Sequence, residues 1–288
     1  MIRRILLASA SAMALAGPAF AADLAPPPVY VPPPPMWTGF YVGVNAGYEW
    51  SATQNVNIVS VPILSDPTGI VGGVSGLANG NVHVQSNGFI GGGQAGYNYQ
   101  FANSWVVGIE ADIDGVASAN GNGALATFGT VGGVLPVTTD LNASKTIDYL
   151  GTVRGRFGFL LLPSLLIYGD GGLAYGEFFM NADAVQGATN GFLGAGTRTI
   201  NYTKVGWTAG GGLEWMVFPN WSVKLEYLYY DLGTVTSADA LFALTPVSPV
   251  VGAYAASQNR THLNGNIVRA GINYHFNWGA PAAVVAKY

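Results

Sequence analysis

The sequence contains no cysteine, which excludes a disulfide framework and any thiolate metal site. Charge is scarce as well. Only 9% of the 288 residues are Asp, Glu, Lys or Arg, against roughly a quarter in an ordinary soluble domain. A water-exposed surface so poor in charge fits a soluble globule badly. Half of the residues are hydrophobic (50%), yet after the N-terminus no run reaches the roughly twenty consecutive apolar residues of a membrane helix. Strands in lipid fit this combination. The three histidines, His83, His262 and His275, lack ligand-like spacing, so no metal or cofactor is expected. The run Gly91-Gly92-Gly93 with Gly96 is followed by neither the helix nor the Lys-Ser/Thr of a phosphate loop.

What the chain has in plenty is glycine, 41 residues, and alternation with a period of two. The clearest case is G-N-I-V-R-A-G-I-N-Y-H-F over 265–276. One face carries Val268, Ala270, Ile272, Tyr274 and Phe276; the other carries Arg269, Gly271, Asn273 and His275, with Ile267 as the apolar exception. Successive strand side chains point to opposite faces. Seven more segments repeat the pattern: 39–50, 87–101, 104–115, 146–160, 165–177, 203–217 and 221–232. Each sets apolar residues against a polar face. An apolar exterior around a hydrogen-bonded interior defines a transmembrane barrel.

The connections alternate. Short turns at Ala102-Asn103, Leu162-Pro163-Ser164 and Pro219-Asn220 separate long segments at 51–86, 116–145, 178–202 and 233–264. Short periplasmic turns and long extracellular loops give this rhythm. Phe101, Trp105, Phe159, Trp215, Phe218, Trp221 and Phe276 gather at the short-turn end, and Trp50, Tyr149, Tyr175, Trp207 and Tyr229 at the other. Those are the two interfacial girdles of a spanning barrel. The expected fold is all-β: an eight-stranded antiparallel up-and-down transmembrane β-barrel over 38–277.

The remaining segments flank it. Met1-Ile2-Arg3-Arg4, an apolar stretch to Ala16 and Ala19-Phe20-Ala21 read as a secretory signal peptide over 1–21. Removing Arg3 and Arg4 leaves nine basic against fifteen acidic residues, a net charge of −6, which argues against nucleic-acid partners. Residues 22–37 form a proline-rich leader, a stiff spacer that cannot enter a sheet. Residues 278–288 form a C-terminal tail. Both ends of the barrel are expected on the periplasmic side of a Gram-negative outer membrane.

The leader running into W-T-G-F-Y-V-G-V-N-A-G-Y, the mid-chain T-V-R-G-R-F-G and the strand N-I-V-R-A-G-I-N-Y-H-F resemble the small alphaproteobacterial outer-membrane β-barrel family. These are the RopB-type surface antigens, distantly similar to the OmpA transmembrane barrel. The resemblance implies an eight-stranded barrel, envelope integrity and a surface role, with no catalytic residues to carry over. One departure is the chain beyond the last strand. The signal read by the barrel-assembly machinery is then either internal, at Tyr274 and Phe276, or the terminal Tyr288.

The inward set of the eight strands collects Glu49, Glu110, Asp112, Asp114, Asp148, Asp170, Glu214 and Glu226 against Arg154, Arg156, Lys204, Lys224 and Arg269. An eight-stranded barrel is just wide enough for its side chains to fill. Charges inside must be paired or hydrated, because a lone buried charge costs several kcal/mol. A salt-bridged plug is the expected outcome and a narrow ion path the competing one. Glu226 is the expected partner of Arg269, with Glu110 or Glu214 as rivals. Two functions follow in order, a structural barrel displaying four long loops and a narrow porin-like diffusion channel. No enzyme is expected, because the third reading, a lipid-modifying enzyme at the rim, has only Ser257 and His262 in a loop with no evident carboxylate orienter. Expected partners are outer-membrane lipid and lipopolysaccharide, the barrel-assembly machinery, and cell-wall or extracellular surfaces.

Overall fold

The computed structural model describes residues 37–119, 121–245 and 252–276. The expected signal peptide at 1–21, the expected leader up to residue 36, the expected tail at 278–288 and the alternative assembly signal Tyr288 lie outside the described residues. In chain order the strands are β1 (Gly39–Ser51), β2 (Asn55–Pro62), β3 (Gly80–His83), β4 (Asn87–Phe101), β5 (Trp105–Ala119), β6 (Gly121–Val131), β7 (Leu135–Leu162), β8 (Leu165–Ala188), β9 (Leu193–Phe218), β10 (Trp221–Thr245) and β11 (Ala253–His275). One helix, α1 (Ile70–Leu77), lies between β2 and β3.

Eight of the strands form a closed ring in the order β1-β4-β5-β7-β8-β9-β10-β11, with β11 pairing back onto β1 from Tyr41↔His275 to Ser51↔Gly265. Every pairing is antiparallel. Closure leaves no free edge, the condition for strands to survive in lipid. Outside the ring, Val44, Ile109, Leu173, Val205 and Leu225 stand more than half exposed. These are apolar side chains that water would not hold on a surface in such numbers.

Beyond the girdles the chain departs from the loop expectation. The segments 116–145, 178–202 and 233–264 continue as strands, and 51–86 supplies β2, α1 and β3. β7, β8, β9 and β10 run for 28, 24, 26 and 25 residues, where about 9–11 suffice to cross a bilayer. The reason is visible in 135–145: Val137, Thr139, Leu141, Ala143 and Lys145 alternate inward and are buried. The alternation persists, with Pro136 at the strand start and small residues between.

The extension is a second tier with its own composition. β6 pairs with β7, and β2 and β3 continue the sheet from β11, so β2, β3 and β6 replace β1, β4 and β5 in the wall. The wall has a seam: β9 and β10 are paired up to Asp231↔Trp207 and again only from Phe242↔Ala195. The interior of this tier is apolar, built from Val56, Ile58, Val82, Leu141, Met180 and Leu241 around α1. The helix presents Val71 and Val74 inward, and Gln186 ties it to the wall. The Gln186 amide donates to the Val74 carbonyl at 2.8 Å and accepts from the Tyr254 hydroxyl at 2.6 Å. Ahead of the helix, hydrogen bonds from the Thr68 hydroxyl and the Val71 N–H hold the Asp66 carboxyl below its ordinary range.

Glycine makes room inside the ring. Gly47 sits opposite Arg269 and Gly172 opposite Arg154. A Cβ on Gly47 would lie 2.2 Å from the Val268 carbonyl oxygen, and one on Gly172 would lie 2.1 Å from that of Val153. A long guanidinium in a narrow lumen requires such a neighbour. Gly172→Val is expected to destabilise the folded barrel by about 1–3 kcal/mol through overpacking, read as a lower urea midpoint in detergent. An unchanged midpoint would mean that the lumen has slack at Arg154.

Candidate functional site

The candidate site is the charged layer inside the ring, and each strand contributes through its inward face. β5 supplies Glu110, Asp112 and Asp114 at every second position. β7 supplies Arg154 and Arg156, β8 Asp170, β9 Glu214, β10 Lys224 and Glu226, and β11 Arg269. Arg154 is the hub. Its guanidinium donates to Glu110 at 2.6 Å, Asp112 at 2.7 Å and Glu226 at 2.9 Å, and also to Asp170. Arg269 donates to Glu226 at 2.7 Å and Asp112 at 2.8 Å, and to Asp114. Its further partners are thus the β5 aspartates, and Glu110 and Glu214 are not among them.

Two more cations complete the layer. Lys224 donates to Glu110 at 2.7 Å. Arg156 donates to Glu214 at 2.7 Å and to the Tyr41 hydroxyl at 2.8 Å, and its guanidinium lies over the Tyr168 ring at 3.9 Å. Arginine suits this work because its planar fork serves several carboxylates at once. The side chains of Arg154, Arg269, Lys224, Glu110 and Glu226 are all 0% exposed. Side chains fill the lumen at this level.

Both ends of the lumen are filled as well. At the short-turn end the Trp37 indole is fully buried. It packs edge-on to His275 at 5.8 Å and donates to the Pro163 carbonyl in the β7–β8 turn at 3.0 Å. Val106, Leu160, Leu166 and Met216 surround it. At the other end a smaller polar group, Glu49 with Tyr230 at 2.5 Å and Lys145 with Ser51 at 2.8 Å, leads into the apolar second tier.

Three residues expected in the lumen network stand apart from it. Asp148 is exposed on the outer face. β7 carries a bulge there, with Ile147 opposite Phe178 and Tyr149 opposite Glu177. One extra residue shifts the alternation by one, so Ile147 turns inward in its place. Lys204 is half-buried on β9, beside the seam, and belongs to none of the ion pairs among the described residues. Glu49 faces inward but belongs to the separate Tyr230 group. Lys145 and Trp37 were not expected in the lumen. Lys145 was legible as the end of the alternating run from Val137; nothing in the sequence marks Trp37 as a plug rather than a girdle residue.

The rim pair of Ser257 and His262 does not form. Both lie on β11, where Ser257 points inward to Ser60 at 3.1 Å and His262 sits on the opposite face, 3.1 Å from Asp231. Inside the lumen Ser222, His275 and Glu214 do meet. The Ser222 hydroxyl donates to Glu214 at 2.6 Å and lies 2.9 Å from His275 Nε2. Glu214 approaches that same ring nitrogen, at 3.4 Å. A nucleophile–base–orienter relay needs the carboxylate on the opposite nitrogen, and all three groups are buried. The contact is structural.

At the short-turn end, Tyr274 packs against Trp221 and against Phe276, both at 5.1 Å.

Comparison with known proteins places these features. The outer membrane protein β-barrel domain family matches residues 5–276. The chain is similar to the 31 kDa outer-membrane immunogenic protein of Brucella melitensis, with 34% identity over 287 residues covering 96% of this chain and 100% of the relative. It is also similar to the 22 kDa outer membrane protein of Rhizobium leguminosarum bv. viciae, 32% identical over 49% of this chain and 52% of that protein. Among solved structures it is similar to the outer membrane protein OprG of Pseudomonas aeruginosa, at 10% identity and a TM-score of 0.41, covering 84% of this chain and 99% of that one.

Proposed function

Because the chain belongs to the outer-membrane β-barrel family of Gram-negative bacteria, we propose that it is a closed structural barrel that supports the envelope and presents its second tier for surface interaction. The observation that carries this reading is the buried ion-pair layer around Arg154 and Arg269, whose side chains are 0% exposed. A path for solutes would need accessible walls at that level, so the diffusion channel is the weaker reading. In the closed-barrel reading both termini lie in the periplasm. Tyr274 and Phe276 are then read by the assembly machinery, and the second tier stands in the extracellular space.

Purified protein in a planar lipid bilayer tests the closed state. Insertion, verified by protease protection of the short turns, is expected to add no steady conductance. A reproducible unitary conductance would overturn the closed-barrel reading in favour of the channel. Hydrolysis or acyl transfer on labelled outer-membrane lipid would instead assign an enzyme.

A further inference from the structure

The outer wall of the second tier carries a polar hollow that the lumen chemistry does not use. It lies on β6, β7 and β8 and is lined by Asn122, Asn142, Ser144, Asn181 and Asp183, with a volume of about 360 Å³. The register builds it from two adjacent cross-strand rows. Asn122 is opposite Ser144 and Ser144 opposite Asn181, while Asn142 is opposite Asp183. Asn181 Nδ2 donates to Asp183 at 3.0 Å, and the Thr199 hydroxyl donates to Asn181 at 2.9 Å, which fixes their orientation. Asn122 and Asn142 make no side-chain hydrogen bond among the described residues. Each therefore offers a free amide, one acceptor and two donors, to whatever enters. Phe179 is outside the lining but lies two residues before Asn181 on the same face of β8, 38% exposed.

We propose that this hollow binds the core sugars of lipopolysaccharide in the surrounding leaflet. Paired amides and a carboxylate match vicinal hydroxyls, and a half-exposed aromatic ring on the same face offers a π surface of the kind that receives the C–H face of a pyranose. The hollow contains a carboxylate and no cation, so it favours neutral hydroxyls over the phosphates of lipid A. Its position selects the source. Asn181 is six residues beyond Tyr175 of the aromatic girdle, about 20 Å along a tilted strand. The wall is continuous with the lipid-facing surface, and sugars joined to the lipid occupy that height.

The inference rests on placement in the outer membrane, and the experiment separates the two. Full-length protein in detergent micelles is titrated with rough lipopolysaccharide, with lipid A alone, and with released core oligosaccharide. The wild type is expected to prefer rough lipopolysaccharide to lipid A by about tenfold, the worth of one or two net hydrogen bonds. Asn142→Ala with Asn181→Ala should bring that ratio near one. Asn142→Trp, which fills the hollow without removing the neighbouring partners, should do the same, and heat-modifiable migration on a gel checks that each variant folds. An equal affinity of wild type for the two lipids, or a ratio unchanged in both variants, overturns the site. Free oligosaccharide binding as tightly as the intact lipid would assign the hollow to soluble glycans and overturn the leaflet source. Cell fractionation reads the premise independently: absence from the outer-membrane fraction sinks the placement, whatever the titration gives.

Discussion

Replacing Arg154 by leucine should destabilise the folded barrel by about 3–5 kcal/mol or more, the cost of stranding a buried partner charge. Glu110, Asp112, Asp170 and Glu226 all accept from this guanidinium. Glu110 keeps Lys224, and Asp112 and Glu226 keep Arg269, whereas Asp170 has its one ion pair among the described residues with Arg154 and is the charge left stranded. Urea unfolding in detergent, followed by heat-modifiable gel migration, measures the loss. Arg154→Lys should fall between the two, because a single ammonium keeps the charge and loses the fork. Wild-type stability in Arg154→Leu would mean that water enters the layer and replaces the arginine. The same variant would then be expected to conduct.

Ala270→Arg should cost about 2–4 kcal/mol by a different route, exposing a guanidinium to hydrocarbon near the bilayer midplane. Ala270 is adjacent in sequence to Arg269, yet it faces outward between Ala46 on β1 and Leu225 on β10. One position along β11 separates a side chain held by three carboxylates from one surrounded by lipid. The penalty should appear on reconstitution into bilayers and shrink in detergent micelles, which deform around a charge. A harmless Ala270→Arg in bilayers would place this part of β11 outside the membrane.

The alternation of 265–276 was enough to assign both faces of β11, and the same holds for 39–50 and 87–101. The physical reason is that a period of two is a local property of extended chain. It needs no knowledge of neighbours, only of which side chains water rejects. The eight-strand count and the alternating turns were legible for the same reason. The pairing of Arg269 with Glu226 was within reach because the two residues sit opposite each other on consecutive strands.

Other features required the closed ring. Arg154 has its β5 and β8 partners on the two strands that flank it, but it meets Glu226 of β10 only because closure folds a strand that is not its neighbour across one narrow lumen. The bulge at Asp148 is set by how β7 fits β8, and beyond it a local pattern assigns the wrong face. The second tier escaped because its strands mix small, polar and apolar residues, and glycine-rich sequence reads as loop until partners are supplied. Composition and alternation by themselves determined a barrel with an apolar outside and a charged inside. Which charges meet, which end Trp37 closes, and how far the wall rises beyond the girdle were decided by tertiary structure, because they depend on ring closure and register between strands far apart in the chain.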